Sequence, residues 1–179
     1  MNSTYVLANK NRMGANHMYL TVQSFISDYK NEAAVTQKLL NALTDASLKQ
    51  EIAPGHRTLG ELAWHLVPAG GMLEPMGVKI QAPANNEVPA AAEEIADQYR
   101  VTVQSLLDGI SDWDDEKMQE TKEVFGFQWK NGMTLSLFVK HEIHHRGQLT
   151  VLMRQAGLPV TGAYGPSKEE WSDMEAPTT

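Results

Sequence analysis

Apolar residues recur at every third or fourth position in four stretches of the chain, and this spacing is typical of amphipathic helices. The four stretches cover residues 19–43, 58–78, 90–110 and 134–156. Pro68 and two glycines interrupt the second stretch, so we expect that helix to kink, or to stop and restart. In the third helix, the inward residues are predicted to be Ile95, Tyr99, Val103, Leu106 and Leu107. Four helices joined by connections of moderate length predict an all-α fold, a helical bundle.

Capping and turn residues mark the predicted helix ends. The segment Thr58–Glu61 has the form of a capping box, which begins the second helix. Thr134 is the predicted N-cap of the last long helix, and Gly157, with a proline two residues later, ends it. Residues 121–132 alternate between apolar and polar and predict a short extended piece or a hairpin.

The same pattern predicts the domain organisation. Residues 1–18 are polar and weakly patterned, and we expect a loose N-terminal arm. Residues 19–179 are expected to form a single helical domain. Its C-terminal tail, after residue 157, is predicted to be irregular, with Trp171 docked on the rest of the protein.

Composition narrows the function classes. A formal charge of −7 at pH 7 argues against binding to nucleic acid or to an anionic membrane. No apolar run approaches the roughly 20 residues that span a bilayer, and residues 1–14 lack the apolar core of a signal peptide, so a cytoplasmic protein is expected. Because the chain contains no cysteine, it has no thiolate nucleophile, and any metal site must use histidine and carboxylate ligands.

Two histidines one helical turn apart are the main candidate functional residues. His141 and His145 lie on the face of the last long helix that we expect to be buried, together with Leu137, Phe138, Gln148, Leu149, Val151 and Leu152. Imidazoles at this spacing can reach one ion, and His65 lies on the inward face of the second helix. Three neutral imidazoles would leave a coordination position for water or substrate, as in catalytic metal sites. Nitrogen ligands suit Zn²⁺ or Ni²⁺.

Neighbouring residues have open interpretations. Any single histidine on an apolar face can instead be a core residue with hydrogen-bonded ring nitrogens. His144 lies about 60° from His141 and about 100° from His145 around the helix. It can replace His145 as a ligand, orient a ligand, or face another helix or subunit, and we favour a non-ligand role because the pair four residues apart is better matched. Glu142 and Gln148 are candidates for the same supporting role at the catalytic site. Glu142 is alternatively a solvated or interhelical residue, and Gln148 a polar core residue.

The opposite side of this helix is expected to face solvent. Arg146 is flanked there by Lys140 and Arg154 at helical spacing, which is typical of a solvated face. Val139 and Ile143 lie on the same side and indicate a contact with another helix or a second subunit.

The segment His141–His145 also matches H-E-x-x-H, the zinc peptidase motif in which the glutamate acts as general base. The extended form of the motif fails, because Gln148 and Val151 stand where glycine and histidine are required. The chain contains no G-x-S-x-G elbow and neither of the glycine-rich nucleotide-binding motifs. A zinc peptidase is therefore kept only as a minor alternative.

Three segments carry a resemblance to a known family. They are TLGELAWHL around His65, KHEIHHRGQLTVLMRQAGLP around His141 and His145, and AYGPSKEEW in the tail. In this order, and with this helix pattern, the chain resembles the DinB/YfiT-like superfamily, which is unrelated to the DNA polymerase of similar name. The resemblance implies an up-down-down-up four-helix bundle, a homodimer, and a divalent metal bound by the three histidines. Pro68 and the Gly70–Gly71 pair depart from the family, whose helices usually continue there, and this bears on pocket shape more than on ligation.

The resemblance adds reaction classes to the metal hypothesis. Some members resemble transferases or isomerases that use a low-molecular-weight thiol such as bacillithiol or mycothiol, so we expect a small-molecule substrate. In a thiol S-transferase the metal would lower the pKa of the exogenous thiol, and in a hydrolase that of water. The alternative from a different class is a non-catalytic stress-response protein whose metal is structural or sensory.

Overall fold

The computed structural model of the protein describes residues 18–67, 72–83 and 85–174. The predicted N-terminal arm, apart from its last residue, and the interruption after the second helix lie outside the described residues. The elements are helices α1 Val22–Asn41, α2 Leu59–Leu66 and α3 Ala92–Ser111, strands β1 Thr121–Val124 and β2 Phe127–Lys130, and helices α4 Asn131–Gln155 and α5 Lys168–Met174. Single 3₁₀ turns occur at Ser47–Lys49, Glu74–Met76 and Lys117–Gln119.

Helix α2 begins as predicted. The Thr58 hydroxyl accepts a hydrogen bond from the Glu61 N–H at 3.1 Å, and the Glu61 carboxylate accepts one from the Thr58 N–H at 2.7 Å. This reciprocal pair confirms the capping box, which satisfies two N–H groups that the first helical turn leaves unpaired. The predicted restart over residues 72–78 is only the 3₁₀ turn Glu74–Met76, which ends at Gly77 in the left-handed region, with φ 78°.

Helix α4 begins earlier than its capping pattern predicts. Its N-cap is Lys130, the last residue of β2, so the hairpin leads directly into the helix. The Thr134 hydroxyl donates to the Lys130 carbonyl at 3.3 Å, which is a bond within the first turn rather than a cap. The C-terminal stop is confirmed: Gly157 has φ 76°, and the N–H of the next residue, Leu158, donates to the Met153 carbonyl at 2.9 Å.

A small antiparallel sheet accompanies the helices. β1 and β2 pair in a hairpin, with Val124 opposite Phe127. Of the two predicted alternatives, an extended piece or a hairpin, the hairpin is confirmed. Phe125 and Gly126 form its two-residue turn, both with positive φ, 53° and 79°. The fold is therefore mostly helical rather than strictly all-α. The up-down-down-up order of the helices stays a prediction.

Helices α1 to α4 share one hydrophobic core. α1 and α2 each pack against both α3 and α4. The core includes Phe25, Tyr29 and Leu39 of α1, Leu59 and Leu62 of α2, Ile95, Leu106 and Ile110 of α3, and Leu135, Leu149 and Leu152 of α4. Within the described residues, no helix combines the length and the apolar composition that crossing a bilayer requires.

The C-terminal tail differs from its prediction in two respects. It ends in the short helix α5, and Trp171 is not the residue that docks it. Trp171 is 56% exposed, and its indole N–H donates to the Pro166 carbonyl, within the tail itself, at 3.1 Å. The tail contacts the helices through Val160, which is buried in the core, through Glu169, which pairs with Arg154 of α4, and through Tyr164, whose hydroxyl donates to the Glu32 carboxylate of α1 at 2.9 Å.

Candidate metal centre

The structure brings three predicted histidines together at the junction of α2 and α4. The Nε2 atom of His141 lies 3.4 Å from that of His65 and 3.1 Å from that of His145. The ring planes are steeply inclined to one another, at 69° to 86°, so the rings meet at their edges and do not stack. Among the described residues, these histidines form the one group of three or more histidine or carboxylate side chains whose ligand atoms all lie within 4.8 Å of one another.

These distances fit a common divalent cation. Two ligands on a tetrahedral ion at Zn–N distances of about 2.05 Å are separated by about 3.3 Å. The two nitrogen separations at His141, 3.1 and 3.4 Å, bracket this value. A hydrogen bond between two rings would not explain why a third ring nitrogen points at the same place. The donor set, three imidazole nitrogens, suits Zn²⁺ or Ni²⁺.

The predicted buried face of α4 is confirmed only in part: Phe138, Leu149 and Leu152 are buried, but the histidines and Gln148 lie at the protein surface. His65 and His141 are exposed and His145 is partly buried, whereas Val151, predicted to be inward, is 47% exposed. The buried face of α4 also contains Leu135, Val139, Glu142 and Arg146, which were not predicted to lie there.

The environment keeps the imidazoles neutral. Although the His65 residue as a whole is exposed, partial desolvation of its ring lowers the pKa to about 4, and the positive charge of Arg57 and the two neighbouring imidazoles add to this effect. Burial is also the main cause that lowers the pKa of His141 and of His145, and the Arg57 charge contributes at both. The ring nitrogens therefore keep their lone pairs at pH 7, which is the state that binds a cation.

The low pKa of His65 predicts a pH dependence for the metal-free protein. Below an ordinary histidine pKa of about 6.5, the unfolded chain binds a proton at His65 that the folded protein does not bind until about pH 4. Stability is therefore lost as the pH falls through this window. We expect the unfolding free energy of the unmodified protein, relative to that of a His65→Gln variant, to fall steadily as the pH is lowered from 7 to 4. Urea unfolding of chelator-treated samples at several pH values measures it, and a difference that is constant with pH would contradict it.

Gln148 and His144 lie next to the three rings. The Nδ1 atom of His145 is 2.7 Å from the Gln148 amide oxygen, which can only accept, so Nδ1 carries the proton and Nε2 is left with its lone pair toward the other histidines. The Gln148 amide nitrogen in turn lies 3.3 Å from Nε2 of His144 and donates to it. His144 itself stays outside the group of three. This geometry supports Gln148 as the residue that orients His145.

Glu142 is placed away from the histidines. Its carboxylate accepts hydrogen bonds from Thr36 of α1 at 2.7 Å and from Tyr99 of α3 at 2.6 Å, and the residue is 3% exposed. Burial raises the pKa of the Glu142 carboxyl, while these hydrogen bonds oppose the increase. A carboxylate held between α1 and α3 is not directed at the ring nitrogens. The geometry therefore does not favour Glu142 as a supporting residue of the site or as a peptidase base.

Arg146 is buried, so the prediction of a solvated face is wrong at this position. It is 2% exposed, and its Nη2 donates to the Glu32 carboxylate at 2.5 Å and to the Tyr164 hydroxyl at 2.9 Å. Val139 on the same side is also buried. Periodicity missed this network because it counts a charged residue as outward, and because the partners are distant in the chain. The available signal was that a charged residue directly follows both His141 and His145, as Glu142 and Arg146.

Comparison with known proteins agrees with this fold. The model of the DinB family matches residues 15–178. The chain is similar to the uncharacterised protein YrdA of Bacillus subtilis (strain 168), with 46% identity over 89% of this chain and 99% of YrdA. A DinB-like protein of Bacillus cereus ATCC 10987 has a similar crystal structure, with a TM-score of 0.79 and 43% identity over 82% of this chain and 100% of that one. The DinB-like protein YjoA of Bacillus subtilis shares the fold at a TM-score of 0.59 and 20% identity, over 75% of this chain and 92% of its own. The chain belongs to the DinB family.

Proposed function

We propose that this DinB-family protein binds one divalent metal ion through His65, His141 and His145 and uses it in an enzymatic reaction on a small molecule. The observation that carries the proposal is the convergence of three ring nitrogens from two helices at separations that suit a single cation. Three protein ligands leave a coordination position open, which is the arrangement of catalytic zinc sites. The exposed position of two of the rings leaves the site accessible from solution.

The reaction that we propose is thiol S-transfer, with hydrolysis as the second candidate. When bound, the metal would lower the pKa of a coordinated thiol or water. Because the chain has no cysteine, a thiol nucleophile must come from solution. Gln148 holds the ring of His145 in one orientation, and Arg57 provides a permanent positive charge that acts on all three imidazoles. This charge favours a thiolate, or a substrate with an anionic group, at the same place.

Metal content of histidine variants tests the proposal. The unmodified protein, incubated with excess Zn²⁺ or Ni²⁺ and then desalted, is expected to retain about one equivalent per chain, because three imidazoles form the ligand set. His65→Ala, His141→Ala and His145→Ala should each retain less than about a tenth of that. His56→Ala is the matched control, since His56 is exposed in the loop before α2, and it should retain the full equivalent. Elemental analysis measures all five proteins. The proposed site would be refuted if the three site variants retained as much metal as the unmodified protein, or if the unmodified protein retained none.

Turnover tests the reaction separately from the metal. The metal-loaded protein is mixed with a low-molecular-weight thiol and monochlorobimane, and S-transfer appears as fluorescence above that of His65→Ala. An ester substrate under the same conditions tests the hydrolytic candidate. Stoichiometric metal without turnover in either assay would favour the non-catalytic, structural or sensory role.

A further inference from the structure

We propose that a polar network, buried except at its outer end, fixes the rotation of α4 and thereby positions His141 and His145 relative to His65. The network, here called the buried clamp, consists of the buried residues Glu32, Thr36, Tyr99, Glu142 and Arg146 and of Tyr164, which is 72% exposed and contributes its hydroxyl group. The inference rests on the proposed function of the three-histidine site. It assigns the clamp a positioning role and no direct contact with metal or substrate.

The sequence of α4 places two rows of residues side by side. His141 and His145 form one row, one turn apart, and each is followed directly by a member of the clamp, Glu142 or Arg146. The second row therefore runs parallel to the first, about 100° around the helix. The histidine row meets α2, whereas the charged row faces α1 and α3. Because one helix carries both rows, the rotation that satisfies the charged row also sets where the imidazoles point.

The hydrogen bonds of the clamp come from three directions. On one side, Glu142 accepts from Thr36 and Tyr99, at 2.7 and 2.6 Å. One turn later, Arg146 donates to the Glu32 carbonyl at 3.0 Å and, at 3.4 Å, to the same Thr36 hydroxyl. The second Arg146 nitrogen binds the Glu32 carboxylate at 2.5 Å, and the tail contributes the Tyr164 hydroxyl at 2.9 Å. Bonds to α1, α3 and the tail together leave α4 one rotation that satisfies them all.

Such a clamp is not needed for stability alone. Burying charged side chains costs so much that well-packed apolar residues in the same places are often as stable or more so. Directional bonds instead specify one arrangement, and a metal site requires this. A rotation of α4 by about 10° would displace an imidazole nitrogen about 6 Å from the helix axis by about 1 Å. Metal–ligand distances tolerate only about 0.2 Å.

Thr36→Val is the variant that tests the inference. Thr36 contacts both Glu142 and Arg146, lies on α1, far in sequence from every histidine of the site, and is fully buried, so valine keeps its shape and removes its hydrogen bonds. Thr102→Val is the matched control. Thr102 is equally buried on α3, and its hydroxyl bonds to the carbonyls of Gln81 and Gln98, not to α4. Tyr99→Phe is a second clamp variant, which removes one donor to Glu142 should Thr36→Val fail to fold.

The measurements are the Zn²⁺ dissociation constant, by competition with a chelating dye, and the visible spectrum of the Co²⁺-loaded protein. We expect Thr36→Val and Tyr99→Phe to weaken Zn²⁺ binding about 10- to 100-fold and to change the Co²⁺ spectrum, as is usual for residues that hold metal ligands in place. Thr102→Val should change neither, although urea unfolding should show a comparable loss of stability. Clamp variants that match Thr102→Val in affinity and spectrum would overturn the positioning role alone. An unmodified protein that binds neither ion would overturn the proposed function and, with it, this inference.

Discussion

Replacing Arg146 by methionine is expected to lower the free energy of unfolding of the metal-free protein by about 3–5 kcal/mol. Arg146 is almost completely buried and is the cation that faces the buried Glu32 carboxylate. Methionine fills much of the same volume, so the loss comes mainly from the unpaired charge left on Glu32 and not from a cavity. Urea unfolding of chelator-treated protein, followed by circular dichroism at pH 7, measures the change.

The same helix offers a matched control. Arg154 pairs with Glu169 at 3.1 Å, but the two side chains are 45% and 33% exposed, so Arg154→Met should cost less than about 1 kcal/mol. The double variant Glu32→Gln/Arg146→Met removes both buried charges and should recover part of the loss. If Arg146→Met costs no more than Arg154→Met, the buried pair does not have the role that its geometry indicates.

Gly132→Ala should destabilise the protein by about 1–3 kcal/mol, although alanine is the better helix former. A Cβ atom at Gly132 would lie 2.0 Å from the carbonyl oxygen of Tyr19, which is backbone and cannot rotate away. The N–H of Tyr19 also donates to the Gly132 carbonyl, at 3.3 Å, and its ring packs on Phe25 of the core. The added methyl group therefore pushes the chain that leads into α1 away from α4.

Gly147→Ala is the control for this prediction. Gly147 lies in the exposed middle of the same helix, and a Cβ atom there would meet nothing within 4 Å. Alanine should therefore stabilise the protein by about 0.5–1 kcal/mol, through helix propensity alone. Thermal or urea unfolding compares the two variants. A stabilising Gly132→Ala would show that Tyr19 does not lie against α4 in solution.

Periodicity predicts a helix well where its two sides differ clearly. In α3, all five residues predicted to be inward are buried, because charged residues occupy the other side. In α4 the same reasoning predicts part of the buried face on the wrong side of the helix. Arg146 is predicted to face solvent, because its partner, Glu32, is 114 residues away and no local pattern reveals the pair. The predicted N-terminus of α4 is also wrong. Lys130 is both the last residue of β2 and the N-cap of α4, so no loop separates the strand from the helix.

Predicting that the three histidines meet needs fewer assumptions than predicting the buried face of α4. It required only that His141 and His145 share one side of a helix and that His65 project from a helix packed beside it. Both conditions hold whichever face of α4 is buried, because two residues four apart lie on the same side of a helix in either case. Exposure does depend on it, and for this reason the position of the site at the surface could not be read from the pattern.

The surface position of the histidine rings would separate folding from the metal uptake that we propose. The hydrophobic core is formed by apolar residues of four helices and does not include the ring nitrogens. The polypeptide would therefore acquire its ion after folding, and could exchange it with the surroundings without opening the core. A surface site with three nitrogen ligands would bind divalent metal ions in the general order of their affinity for nitrogen. The ion found in a purified sample would then depend on which metals the growth medium and the host cell supplied.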